Sequence, residues 1–169
     1  MSIPLYGQNG AGGNLDQLAP SGVRCVQAAS KTLVAADSGT IFVCGGGSAA
    51  AFILPAASVE NIGVNFRFVW TAAETDAITI ATADATDTTG DMFVGGLLYC
   101  AAAAVNTIAQ IAADSNLLTF DDNVANSGGG PGTWCELVCV SKSNWFVRGI
   151  VEGDSDADGV GSAIASDVD

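Results

Sequence analysis

The stretch from Phe52 to Trp70 constrains the fold most, because it holds two apolar runs separated by residues that break regular structure. The first run ends at Leu54-Pro55, and a proline, which has no N–H to give to a ladder, ends a strand or sits at a sheet edge. Gly63 then supplies a backbone able to take positive φ, as a tight return requires. In the second run Val64, Phe66, Phe68 and Trp70 fall on one face, and Asn65, Arg67 and Val69 on the other. That period of two predicts a half-buried strand.

The same reading extends along the chain. Val23 to Ala29, Lys31 to Ala35, Thr40 to Cys44 and Ala77 to Thr82 are further strand candidates, separated by Asp37-Ser38-Gly39 and Gly45-Gly46-Gly47-Ser48 as turns. Met92 to Val94, Leu97 to Ala103, Thr107 to Ala112 and Asn116 to Phe120 follow as short strands. A helix over Ala101 to Ala113 is the competing reading of the alanines there, but Val105, Thr107 and Ile108 interrupt it. The last hairpin is the clearest element: Trp134 to Val140 and Trp145 to Val151 flank the turn Ser141-Lys142-Ser143-Asn144. Both of its strands are largely apolar on two faces, which places them centrally in a sheet or against a partner subunit. Many short strands with frequent turn signals predict an all-β fold, an antiparallel β-sandwich of jelly-roll-like kind.

Residues 1–22 carry five glycines and few apolar anchors, and predict an extended N-terminal arm whose tip, Ile3, Pro4, Leu5 and Tyr6, docks on a neighbouring subunit. Residues 23–152 form the sandwich, and residues 153–169 an acidic tail. No charged leader followed by an apolar core opens the sequence, so synthesis in the cytosol is the expectation.

Charge narrows the partners. Eighteen acidic residues against five basic ones give a formal net charge of −13, a field that repels nucleic acid and anionic membranes. The chain has no histidine, so the usual proton shuttle near neutral pH and the triads built on it are missing. A glycoside hydrolase needs only two carboxylates, and Glu136, in an otherwise apolar strand, is the acid expected to be buried; a non-enzyme is the favoured reading. Five cysteines, Cys25, Cys44, Cys100, Cys135 and Cys139, contain no CxxC pair, and are read as small buried hydrophobes in a reducing compartment. Cys135 and Cys139 share one face of their strand, about 13 Å apart at the strand rise per residue, too far to bridge. Asp154-Ser155-Asp156-Ala157-Asp158-Gly159 matches the first half of a calcium loop, but the twelfth position is Ala165 instead of glutamate, so a solvated tail with no metal and no cofactor is expected. Gly128 to Gly132 lacks the Lys-Ser/Thr of a phosphate loop and reads as a bend.

Five segments together carry a resemblance: Asp37-Ser38-Gly39-Thr40-Ile41-Phe42, Ile53-Leu54-Pro55-Ala56-Ala57, Gly63-Val64-Asn65-Phe66-Arg67-Phe68, Ile78-Thr79-Ile80, and Trp134-Cys135-Glu136-Leu137-Val138. In this order they resemble the β-sandwich modules of tailed-phage virion proteins, most closely head decoration, or capsid cement, proteins. The resemblance spans about residues 31–151. It implies a jelly-roll-like homotrimer on the outside of a phage head, bound to the major capsid protein and clamping adjacent capsomers, with no nucleic acid or membrane partner. Phe66, Phe68, Trp70, Trp134, Trp145 and Phe146 are then expected in the core or the trimer interface. The alternative is a trimeric tail-fibre or receptor-binding tip that recognises a host glycan or protein through aromatics clustered at one end. The acidic tail is not part of the pattern.

Overall fold

The computed structural model describes residues 17–18, 24–47, 49–74, 76–83, 90–101, 107–111, 115–121, 128–153 and 165–166. Among these the chain forms β1 (Gln17–Leu18), β2 (Arg24–Gln27), β3 (Lys31–Thr32), β4 (Ile41–Cys44), β5 (Ala50–Ile53), β6 (Asn65–Trp70) and β7 (Ile78–Ala81). Then come β8 (Met92–Ala101), β9 (Thr107–Gln110), β10 (Leu117–Phe120), β11 (Trp134–Cys139), β12 (Asn144–Gly153) and β13 (Ala165–Ser166). Helical structure in the described residues is limited to two single 3-10 turns, Ala35–Asp37 and Val59–Asn61. The all-β expectation holds. Of the region with a competing helix reading, residues 107–110 are β9, while 102–106 and 112–114 lie outside the described residues.

Sheet A has the order β1-β2-β4-β6-β11-β12-β8-β9, and sheet B the order β13-β10-β7-β5-β3. The expected central place of the last hairpin is borne out: β11 lies between β6 and β12, and β12 between β11 and β8. Residues 17–18 pair with β2 and residues 165–166 with β10, so part of the expected arm and part of the expected tail belong to the sheets.

The expectation of antiparallel pairing throughout is corrected. Six ladders are antiparallel and five are parallel. From β2 to β7 the chain alternates between sheets, so that β2, β4 and β6 lie parallel in sheet A while β3, β5 and β7 lie parallel in sheet B. Parallel neighbours need a crossover between them. Here each crossover is a strand of the opposite sheet.

One such crossover shows how the backbone is held. Gly45, Gly46 and Gly47 all have positive φ as the chain leaves β4 for β5. The carboxylate of Glu74, only 2% exposed, accepts the Gly45 N–H at 2.6 Å and the Gly47 N–H at 3.1 Å. Amides that would otherwise be orphaned in the turn thus find both their acceptors on one side chain.

The apolar faces of the two sheets meet in one core. Phe42 of β4 touches Phe52 of β5 at 5.1 Å between ring centroids, Phe52 meets Phe68 of β6 edge-on at 4.9 Å, and Trp70 packs on Phe120 of β10 at 4.6 Å. Within sheet A, Phe66 stacks on Trp145 at 5.8 Å. Each fully buried side chain of this size stabilises the fold by about 1.5–3 kcal/mol relative to exposure.

The Gly95-Gly96 pair, expected to separate two strands, is instead continuous within the ten-residue β8, which runs parallel to all ten residues of β12. Gly95 sits opposite Val147 at φ 120°, and a Cβ built there would lie 2.2 Å from the Val147 carbonyl oxygen. Only glycine permits that approach.

Candidate interaction surface

Alternation along six strands of sheet A turns one set of side chains outward, and the ladder registers line these sets up in rows. One row reads Val43, Val69, Trp134, Ile150, Leu98 and Ile108 across β4, β6, β11, β12, β8 and β9. A second reads Asn65, Val138, Phe146 and Val94. Between them lies Ile41, Arg67, Glu136, Arg148, Gly96 and Gln110. Ile108 is 70% exposed, and Leu98, Phe146 and Val94 are each 37–38% exposed. The result is a sheet face with two apolar rows flanking one charged row.

The charged row has a defined electrostatic structure. Glu136 receives Arg148 from one side, with Nε at 2.7 Å and Nη2 at 2.6 Å, and Arg67 from the other at 3.5 Å. Its side chain is 14% exposed, whereas the arginines are 46% and 61% exposed. Such pairs contribute at most about 1 kcal/mol each in water. They gain strength where a partner surface excludes the solvent. Arg67 also lies over the Trp134 ring at 5.9 Å, within cation–π range. A cleft of about 180 Å³ beside this row is lined by Gly39, Thr40, Ile41, Asn65, Arg67 and Glu136.

Glu136, the acid of this otherwise apolar strand that could be buried, has a side chain largely covered, but the cover comes from two arginines on the outer face and not from the apolar core. The partners had a partial sequence signal. Counting outward from the turn after Cys139 pairs Glu136 with Arg148, but Arg67 comes from a strand 69 residues away and no local count finds it.

The six residues expected in the core or an interface divide cleanly. Phe66, Phe68, Trp70 and Trp145 are core, at most 1% exposed. Trp134 and Phe146 point the other way, in different rows of the outer face with the Glu136–Arg148 pair between them. The expected docking tip, Ile3, Pro4, Leu5 and Tyr6, lies outside the described residues, as does the half calcium loop Asp154 to Gly159.

A second basic cluster sits at the β2–β3 end. Asp37, at the end of the first 3-10 turn, accepts the Lys31 ammonium at 2.7 Å, the Arg24 guanidinium at 3.5 Å and the Val34 N–H at 3.1 Å. Burial pushes the Asp37 carboxyl up, but the Lys31 hydrogen bond, the Val34 amide and the charges of Lys31 and Arg24 outweigh it and hold the group below its ordinary value. An adjacent cleft of about 220 Å³ is lined by Arg24, Gln27, Ser30, Lys31 and Phe42 among others. The other buried acids are engaged in the same way: Glu74 holds Gly45 and Gly47, and Asp91 holds the Ala57 N–H at 2.6 Å. Each closes a loop of the backbone.

All five cysteines are free thiols. Cys44, Cys135 and Cys139 are buried, and Cys135 and Cys139 share the inner face as expected, whereas Cys25 and Cys100 are only half-buried. Burial, with the Glu74 charge adding to it, pushes the Cys44 thiol up to about 12, and burial likewise raises Cys135 and Cys139. No group of three metal-binding side chains occurs among the described residues. No protein-family model, no curated protein and no solved structure matches the chain.

Proposed function

We propose that the chain is a structural virion protein: a capsid decoration protein that binds the outside of a phage head as a homotrimer and strengthens contacts between capsomers. In this reading the two sheets form a sandwich subunit, the parallel coil of β2 to β7 stands in for jelly-roll winding, and the N-terminal segment is the arm that reaches the major capsid protein. The observation that carries the proposal is the outer face of sheet A. Its apolar side chains are spread in rows over six strands, and the three charges between those rows are already paired with one another. A broad face of this kind suits contact with another protein surface, and the cleft of about 180 Å³ beside its charged row is smaller than the roughly 300–1,000 Å³ of an ordinary small-ligand pocket. The net charge of −13 supports the same reading, since it disfavours direct engagement of packaged DNA.

The test is co-sedimentation with purified phage heads lacking their decoration. The chain is expected to pellet with heads and to raise the temperature at which they release DNA. Removing residues 1–16, which leaves β1 in place, is expected to abolish pelleting while preserving the far-ultraviolet circular dichroism of the body. Failure of the full chain to bind any head of the host range tested would sink the proposal.

A further inference from the structure

We propose that the outer face of sheet A is the surface through which copies of this chain meet. The inference rests on the self-association contained in the reading above, and gives it a place on the molecule.

Size is the first argument. Six strands at about 4.8 Å spacing and three rows about 6.6 Å apart give a face on the order of 600 Å². A standard protein interface buries about 800 Å² per partner, so this face, with the turn residues around it, is of the right extent. Ile62 and Val140, both exposed, extend the apolar area past the Asn65 row, because the Gly63 N–H bonds the Cys139 carbonyl at 2.9 Å and draws the two turns together.

Charge identifies the occupant. A chain carrying −13 repels its own copies wherever its acids are exposed. The three rows of this face hold Arg67, Glu136 and Arg148, a local excess of one positive charge. The row also alternates in sign. A row that reads plus, minus, plus is complementary to a second copy of itself shifted by one strand, so that an arginine of one copy faces the glutamate of the other. A contact of the two arginines with acids elsewhere on a second copy would be of the head-to-tail kind that a closed ring requires. Of the exposed acids among the described residues, Glu60 and Asp76 lie in turns, while Glu152 stands at the margin of this face, in the position of β12 that follows the Ile150 row.

Edges offer a poorer route. β1, β3 and β13 close three of the four sheet edges with strands of two residues each, and Lys31 stands on one of them. Short edges with a charge are those that resist pairing with another chain.

The experiment is the solution mass of the full chain by light scattering, with Leu98→Asp and Ile108→Asp as face variants and Val59→Asp as a control. Ile108 is 70% exposed and Val59 68%, so neither change disturbs the core, and circular dichroism checks this. The unaltered chain and Val59→Asp are expected to give a multiple of 16.9 kDa at micromolar concentration. Each face variant is expected to raise the dissociation concentration about tenfold or more, a carboxylate having entered an apolar contact. A monomeric unaltered chain overturns the inference, as does a multiple that survives both face variants or one lost in Val59→Asp instead. Head co-sedimentation of the same proteins separates the two ideas. A monomer that binds heads and loses them through Leu98→Asp assigns the face to a capsid protein and overturns self-association alone; an oligomer that ignores heads leaves the face standing and removes the decoration role.

Discussion

Substituting Gly95 by alanine tests the parallel pairing of β8 with β12, the longest ladder of sheet A. Two separate effects add there. Gly95 has φ 120°, a backbone that L side chains rarely adopt, and holding alanine in such a region costs about 1–3 kcal/mol. The new Cβ would also fall 2.2 Å from the Val147 carbonyl oxygen and 3.1 Å from the Phe146 ring, so backbone must shift, which adds roughly 1–3 kcal/mol of overpacking. Gly46 provides the comparison: its φ is also 120°, but nothing lies within 4 Å of a Cβ placed on it. Gly46→Ala should therefore show the backbone effect alone, and Gly95→Ala both, a total of roughly 2–6 kcal/mol against an ordinary stability of about 5–15 kcal/mol. Urea unfolding followed by fluorescence of the three tryptophans measures both variants on one scale. Equal losses for the two substitutions would mean that no carbonyl stands opposite Gly95, and the β8–β12 ladder as described would be wrong.

Other consequences are open to direct measurement. Glu74→Ala strips the acceptor from the Gly45 and Gly47 amides and should cost about 1–3 kcal/mol for each orphaned donor in urea unfolding, while Glu74→Gln, which keeps one carbonyl acceptor, should cost less. The folded-state pKa of Asp37 lies below its unfolded value, so the stability it contributes is fully present above the unfolded carboxylate pKa of about 3.9 and fades as pH falls through the folded one. The stability gap between the unaltered chain and Asp37→Asn should therefore shrink on acidification below about pH 4, and a gap that stays constant with pH would refute the ionised role. A thiol reagent at mildly alkaline pH should label Cys25 and Cys100 in the native protein, with Cys44, Cys135 and Cys139 reacting only after denaturation. In the monomeric form expected of the Leu98→Asp face variant, acrylamide should quench Trp134 far more than Trp70 or Trp145, as read from single-tryptophan variants.

What the sequence makes legible is the side of a strand on which a residue lies. The period of two from Asn65 to Trp70 separates Phe66, Phe68 and Trp70, all buried, from Arg67 on the surface, and it puts Cys135 and Cys139 together on the inner face. It misleads where both faces of a strand are apolar. Trp145 and Phe146 are neighbours in β12 and both aromatic, yet one is fully buried and the other faces outward. The outer face of sheet A stayed unresolved for that reason: Trp134 and Phe146 read as core or interface with nothing to choose between them, and Glu136 as a buried acid, until the registers with β6 and β12 supplied Arg67 and Arg148.

Strand direction was not legible, and the glycine turn after Cys44 shows why. Three consecutive glycines between two short apolar runs carry the local signature of a hairpin, in which the second strand would return antiparallel beside the first. Positive φ at Gly45, Gly46 and Gly47 is compatible with that and equally with a turn that lifts the chain from one sheet to the other. The choice is made by a residue far along the sequence. Glu74 reaches back 29 residues to the Gly45 amide and 27 to that of Gly47, and the Thr71 N–H bonds the Cys44 carbonyl at 3.0 Å, so the segment after β6 occupies the place a hairpin return would need. With that place filled, the chain leaving β4 crosses to sheet B, where β5 pairs in parallel with β7. A window of local sequence contains the glycines and not the glutamate, and so contains the turn without its direction.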